Sequence, residues 1–138
     1  MRIVVCGGRN YSNFEFLIKI MDELLRDYIQ PPNTIQVRDK ALFSIATGGA
    51  TGADTLAERW ARMRGIKCKT YLPDWNRYGD AAGPKRNIKM IDTFAPDLLV
   101  AFKGGFGTAS SIKHAKSKGI KVFTPDEDFN SSKTGSLF

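Results

Sequence analysis

Short β-branched runs alternate with amphipathic helical stretches along the chain, and the junctions from strand to helix are rich in glycine. One run, Asp97–Phe102, is apolar almost throughout, as expected when both faces of a parallel sheet are covered. Together these observations predict an α/β fold. It is a Rossmann-like three-layer sandwich around a central parallel sheet of about five strands, doubly wound by helices.

The elements follow in order. Arg2–Cys6 reads as a strand, ended by Gly7-Gly8. A helix starts from Asn13, with Phe14, Leu17, Ile18, Met21, Leu24, Leu25 and Tyr28 on one stripe, and Pro31-Pro32 stops it. Phe16 and Ile20 lie off that stripe, which suggests a second buried face, for instance against another subunit. Residues 33–42 read either as an edge strand over Thr34–Arg38 or as a long loop. Phe43–Thr47 is a strand leading into Gly48-Gly49-Ala50-Thr51-Gly52-Ala53-Asp54, where Thr51 or Asp54 can cap the next helix. That helix carries Leu56, Ala57, Trp60 and Ala61 on one side and ends near Gly65. Ile66–Leu72 is a third strand, and 73–83 a polar aromatic loop. Pro84 suits the first position of a short helix reaching about Phe94. After the fourth strand, Asp97–Phe102, come Lys103-Gly104-Gly105-Phe106-Gly107-Thr108 and a helix to Ser117, capped by Gly119. Ile120–Thr124 is the fifth strand. Residues 1–124 make one domain with no repeat or linker, followed by a polar tail over 125–138.

At 138 residues, 42% hydrophobic and 11% aromatic, the chain can build a core, which excludes wholesale disorder. No apolar run approaches the ~18 residues of a membrane span. The opening strand is too short for a signal peptide. Cys6 and Cys68 are too few for a disulfide scaffold and read as buried, reduced thiols of a cytoplasmic protein. The net charge of +7 suits an acidic partner. Two stretches, Arg59–Lys69 and Lys103–Lys121, contain no acid, but both overlap helix ends, where cations complement the helix dipole.

In a doubly wound sheet the strand-to-helix turns share the carboxyl edge, where ligands bind at the switch point in strand order. Three such turns here are glycine-rich: Gly7-Gly8-Arg9, Gly48–Gly52 and Gly104–Thr108. Glycine permits close approach and positive φ, and the helix behind each turn offers unpaired N–H groups that favour phosphate. Tight turns need glycine too, but three on one edge favour a phosphate ligand. Neither a P-loop nor a Gly-x-Gly-x-x-Gly after the first strand is present. That argues against an ordinary P-loop NTPase or NAD-binding domain. No Cys/His/carboxylate cluster has zinc spacing, and His114 is the single histidine, so neither a metal nor a cofactor is expected.

Five motifs in order carry a family resemblance: Gly7-Gly8-Arg9-Asn10-Tyr11, Gly48–Asp54, Asp74-Trp75, Ala82-Gly83-Pro84-Lys85-Arg86-Asn87 and Lys103–Thr108. Over residues 1 to about 124 the chain resembles the YspA-like branch of the SLOG superfamily, which also holds the LOG phosphoribohydrolases and the DNA-processing protein A fold. The resemblance implies a Rossmann-like domain for nucleotides or nucleotide-derived ligands, in some members a sensor and in others an N-glycosidic hydrolase. It also leans towards a homo-oligomer. The hydrolases carry Pro-Gly-Gly-x-Gly-Thr, then a glutamate within two or three residues, and an arginine from the preceding helix. Here Arg86 matches the arginine, Lys103 replaces the proline, and Ser110 and Ser111 stand where the glutamate is expected. Cleaving a ribosyl–base bond needs a carboxylate to stabilise an oxocarbenium-like centre. Its loss with the phosphate-binding turns retained points to binding without catalysis, unless Asp54, Asp74 or Asp80 replaces it.

The expected ligand site therefore comprises Gly7, Gly8, Arg9, Gly48, Gly49, Thr51, Gly52, Asp54, Trp75, Tyr78, Arg86, Asn87, Gly104, Gly105, Gly107, Thr108 and Ser110. Arg9 and Arg86 are there to pair with phosphate, and Asp54 to meet a ribose hydroxyl or cap its helix. Trp75 and Tyr78 either stack on a base or pack on the sheet edge. The partner expected is a small phosphorylated nucleotide-type ligand, ADP-ribose-like or cyclic, held by a sensor or sequestering protein. A nucleotide hydrolase is the first alternative and a nucleic-acid-binding protein the last.

Overall fold

Five parallel strands, β1 (Arg2–Cys6), β2 (Ser44–Thr47), β3 (Lys67–Thr70), β4 (Leu98–Ala101) and β5 (Lys121–Phe123), form one sheet in the order β3-β2-β1-β4-β5. The computed structural model describes residues 1–33 and 35–126. The chain steps outward from β1 to β3, then returns to lay β4 against the free side of β1. Ile3 is thus in register with Ile45 on one side and Leu98 on the other. The switch point lies between β1 and β4.

The helices are α1 (Phe14–Ile29), α2 (Ala53–Arg64), the single turn α3 (Trp75–Tyr78), α4 (Ala82–Phe94) and α5 (Phe106–Ser117). Successive strand residues point to opposite faces, so the apolar runs feed two cores. Ile3, Val5, Ile45 and Val100 pack with α1 and α2. Val4, Cys6, Ala46 and Leu99 pack with Met90 and Ile91 of α4 and Ala115 of α5. That two-sided burial is why β4 is wholly buried and carries no alternation.

Asn13 starts α1 by accepting the Phe16 N–H at 3.1 Å. The helix crosses the sheet: the Phe16 ring meets Phe102 edge-on beyond β4, and Tyr28 meets Phe43 ahead of β2. Different sectors of α1 are therefore covered along its length. Ile20, which lay off the stripe, is 1% exposed in the chain's own core. Phe16 is half-buried against that core.

A polar clasp joins α1 to α2. Asp22 accepts the buried Trp60 indole N–H at 2.8 Å and two guanidinium N–H groups of Arg64 at 2.8 and 2.9 Å. The Arg64 hydrogen bonds hold its carboxyl below the ordinary aspartate range. Asp22→Ala leaves the indole donor without its acceptor and is expected to cost about 1–2 kcal/mol, read as a lower urea midpoint.

Of the two readings open for residues 33–42 the structure takes the loop, and two further local expectations differ. Residues 35–39 form no strand; Arg38 N–H donates to Ile29 O at 3.0 Å, and a 3₁₀ turn, Lys40–Leu42, leads into β2. Thr34 lies outside the described residues, as does the expected tail beyond Asp126. The 73–83 segment is α3, whose Asp74 carboxylate accepts the Arg77 N–H, followed by a 3₁₀ turn at Gly79–Ala81. Finally, α4 begins at Ala82, two residues before Pro84. The first turn's N–H groups have no intrahelical partner, so proline is tolerated at the third position as at the first. Among the described residues no helix is long and apolar enough to cross a membrane.

Candidate functional site

The three glycine turns meet on the carboxyl edge because their backbones cross at distances only glycine permits. Gly8 N–H donates to Lys103 O at 2.9 Å, joining the β1–α1 turn to the β4–α5 turn. Gly8 O accepts from Ala53 N–H at 3.2 Å, joining it to the start of α2, and the Thr51 hydroxyl donates to Arg9 O at 3.2 Å. A Cβ on Gly52 would stand 2.1 Å from Gly8 O, and one on Gly104 would stand 2.7 Å from Gly8 N. Gly7 is closed in by Ala53, Gly48 by the Arg86 guanidinium, and Gly49 by Thr70 and Leu72. At Gly7, Gly52 and Gly104 the close approach of fixed neighbouring atoms accounts for the glycine, and at Gly49 its positive φ does.

Two glycines differ. A Cβ on Gly105 or Gly107 would meet nothing within 4 Å, and neither has positive φ. Gly107 lies inside the first turn of α5, where glycine costs roughly 0.5–1 kcal/mol relative to alanine. Gly105 is the N-cap of that helix and supplies no side-chain cap. The first turn of α5 therefore opens, uncapped, onto a cleft of about 380 Å³.

This cleft lies between the β1–α1 turn, α4 and α5. Of the expected residues, Gly7, Gly8, Arg9, Asp54, Arg86, Asn87, Gly105, Gly107, Thr108 and Ser110 line it. Gly48, Gly49, Thr51, Gly52 and Gly104 are not in the lining; they belong to the turns that border it. Trp75 and Tyr78 lie outside it. Trp75 packs its ring tip near Gly83, and the Tyr78 ring lies under the Arg77 and Lys85 cations. The lining also includes Cys6, Ala50, Met90, Phe106 and Ser111. Phe106, 96% exposed at the first position of α5, is the aromatic at the cleft lip. Its flanking glycines were the signal for it: a large ring between residues without side chains is free to be covered by a ligand.

The charges are arranged around a buried carboxylate. Asp54 is the second residue of α2, yet it does not cap that helix; Gly52 does. Its Oδ2 accepts the N–H groups of Gly48 and Ala50, both at 3.2 Å, so it holds the preceding turn closed. Burial raises the Asp54 carboxyl to about 6, against the opposing pull of those N–H groups and of Arg86. Arg86 donates to Gly48 O and, at 3.3 Å, to Tyr71 O, and its Nε donates to Asn87 Oδ1 at 2.7 Å. It ties α4 to the ends of β2 and β3, and burial lowers its pKa despite Asp54. Arg9, by contrast, is exposed and makes no ion pair among the described residues. The Cys6 thiol at the cleft floor is pushed up, mainly by burial and then by Asp54, and is no nucleophile. Among the described residues no group of three or more His, Cys, Asp or Glu is placed to hold a metal.

This arrangement can bind an anion. Backbone N–H groups of α5, the Thr108 and Ser110 hydroxyls and the Arg9 guanidinium converge on the cleft, and Asp54 is its one carboxylate.

Residues 1–78 match the family described as YspA, cpYpsA-related SLOG. The Gene 61 protein of Mycobacterium phage D29 is 39% identical over 85 residues, covering 56% of this chain and 67% of that protein. The X-ray structure of TM1055, a Northeast Structural Genomics Consortium target, superposes with a TM-score of 0.60 at 23% identity. It covers 88% of this chain and 71% of that one, which establishes a shared fold.

Proposed function

Because the chain belongs to the YspA, cpYpsA-related SLOG family, we propose that its cleft binds a small phosphorylated nucleotide-type ligand. Family membership suggests a nucleotide-related ligand, bound or processed. The observation that carries the binding reading is the pair Gly105 and Gly107, whose missing side chains serve no packing need and leave the α5 N-terminus bare. The phosphate sits against those N–H groups with Thr108 and Ser110, Arg9 pairs with its charge, and the Phe106 ring contacts the base. In this reading the protein senses or sequesters its ligand.

Calorimetry against AMP, ADP, ADP-ribose and cyclic nucleotides tests it. At least one is expected to bind. Gly107→Ala is expected to move stability and binding oppositely. It raises stability by roughly 0.5–1 kcal/mol, while placing a methyl where the phosphate approaches and weakening affinity about tenfold, or ~1.4 kcal/mol. No heat with any nucleotide, or unchanged affinity in Gly107→Ala, rejects the site.

One observation favours turnover as a second reading: Asp54 is the carboxylate in the lining, and its carboxyl, raised to about 6, suits proton transfer near neutral pH. Free base appearing in the AMP or ADP-ribose mixtures, and lost with Asp54→Asn, separates hydrolysis from binding. A nucleic-acid role gains little. Its two basic stretches lie on α2–β3 and on α5, which pack on opposite faces of the sheet.

A further inference from the structure

The cleft lining differs in chemistry between its outer and its buried end. The buried residues of the lining are Cys6, Asp54, Gly83, Met90 and Ser111, a set without a cation. Arg9, Phe106 and Gly107 are exposed at the outer end, and Arg86 is engaged with Gly48 O, Tyr71 O and Asn87. A phosphoryl group at the buried end would lose its hydration and meet a carboxylate, with no free cation to offset either. That end suits a neutral group able to hydrogen-bond.

Ser111 marks where such a group would bond. It is 2% exposed and makes no side-chain hydrogen bond among the described residues. Yet among those residues no side-chain oxygen or nitrogen that is fully buried lacks a partner. The small surface that Ser111 keeps must therefore include its hydroxyl oxygen, and Ser111 lines the cleft. Gly107 precedes it by four residues, on the same face of α5, and has no side chain to screen it. A hydroxyl so enclosed is unfavourable until a bound group pairs with it.

We propose that the Ser111 hydroxyl receives a sugar hydroxyl of the ligand and so selects ribonucleotides over their deoxy counterparts. With phosphate at the α5 N-terminus and the base against Phe106, the sugar is the part left to face inward. Its hydroxyls are neutral and both donate and accept, and a serine hydroxyl does both in return. This rests on the nucleotide-binding reading and adds to it the residue that reads the sugar.

Calorimetry of AMP, 2′-deoxy-AMP and 3′-deoxy-AMP on the wild type, Ser111→Ala and Ser110→Ala tests it. AMP is expected to bind the wild type about tenfold more tightly than at least one deoxy form, the step that one hydrogen bond supplies. Ser111→Ala is expected to weaken AMP to that level and leave the deoxy form unchanged, so the ratio falls to about one. Alanine is the stronger helix former, so the variant keeps its fold. Ser110→Ala removes an exposed hydroxyl from the phosphate end and is expected to weaken all three alike, keeping the ratio. Equal affinities for AMP and both deoxy forms overturn the proposal while leaving the nucleotide reading intact, as does an unchanged ratio in Ser111→Ala. Failure of every nucleotide to bind the wild type overturns both.

Discussion

Gly52→Ala is expected to abolish the folded state or bring it close to its limit. Gly52 sits at φ 80 and ψ −129, a conformation that L side chains rarely adopt and that costs about 1–3 kcal/mol where it is forced. Relief by rotation is blocked. The added Cβ would lie 2.1 Å from Gly8 O and 2.5 Å from Arg9 O, both main-chain atoms fixed by their own turn. Pushing that turn away breaks the Gly8 O to Ala53 N–H bond and the Thr51 to Arg9 bond that fasten α2 to β1. Overpacking against backbone adds roughly another 1–3 kcal/mol or more. The total is comparable to the 5 kcal/mol or so at the low end of domain stability. Gly79→Ala is the control, since Gly79 also has positive φ, 54, but a Cβ there meets nothing within 4 Å. At φ 54 and ψ −129 it shares the backbone region of Gly52, so the variant is expected to lose only that backbone cost, about 1–3 kcal/mol, without the overpacking. Urea denaturation of the two variants decides the matter: equal midpoints would show that the crossing of the turns is not what requires glycine at 52.

That contrast also marks the limit of what the residues could reveal unaided. Strand and helix periodicity placed all five strands and the four longer helices within a few residues, because two-sided burial and amphipathic stripes are written locally. The glycine turns were legible as a set, and the set does lie on one edge. Individual roles were not legible, since a glycine needed for a backbone crossing, such as Gly52 or Gly104, looks the same as one left open, such as Gly105 or Gly107. Arg86 was visible as a charge near the site, but its engagement with Gly48 O and Tyr71 O depends on strand ends brought together only by the sheet. Asp54 read as either a helix cap or a contact for a ribose hydroxyl. The positive φ of Gly52 lets that glycine take the cap, so Asp54 turns back to the N–H groups before it. The single turn of α3 is too short to display a period. The 35–39 loop alternates polar and apolar residues but pairs with neither end strand of the sheet, β3 or β5.

Asp54→Asn is expected to remove a pH dependence of stability that the wild type shows between about pH 4 and 6. The folded-state carboxyl titrates at about 6, whereas an unfolded aspartate titrates near 3.9. Between those values the folded protein holds a proton that the unfolded chain has released. Stability contributed by this group is therefore fully present below about pH 4 and is lost as pH rises through 6. The gap corresponds to about 3 kcal/mol at 1.36 kcal/mol per pH unit. Asparagine keeps an oxygen for the Gly48 and Ala50 N–H groups but carries no charge to desolvate. At pH 7 the variant is accordingly expected to match or exceed the wild type. Asp54→Ala leaves both N–H groups without an acceptor and is expected to lie about 1–3 kcal/mol below Asp54→Asn at every pH. Subtracting the Asp54→Asn profile from the wild type isolates this group from Asp22, whose lowered pKa acts in the opposite sense and in the more acidic range. Arg86 is the main charge holding the Asp54 carboxyl down, so Arg86→Met should move the wild-type transition to higher pH. A wild-type curve flat between pH 4 and 6 would sink the assignment. The same proton bears on function: an ionised Asp54 in the cleft lining repels a phosphate, so affinity for ADP-ribose, whose diphosphate does not titrate near pH 6, should fall as pH rises through 6 in the wild type and stay level in Asp54→Asn.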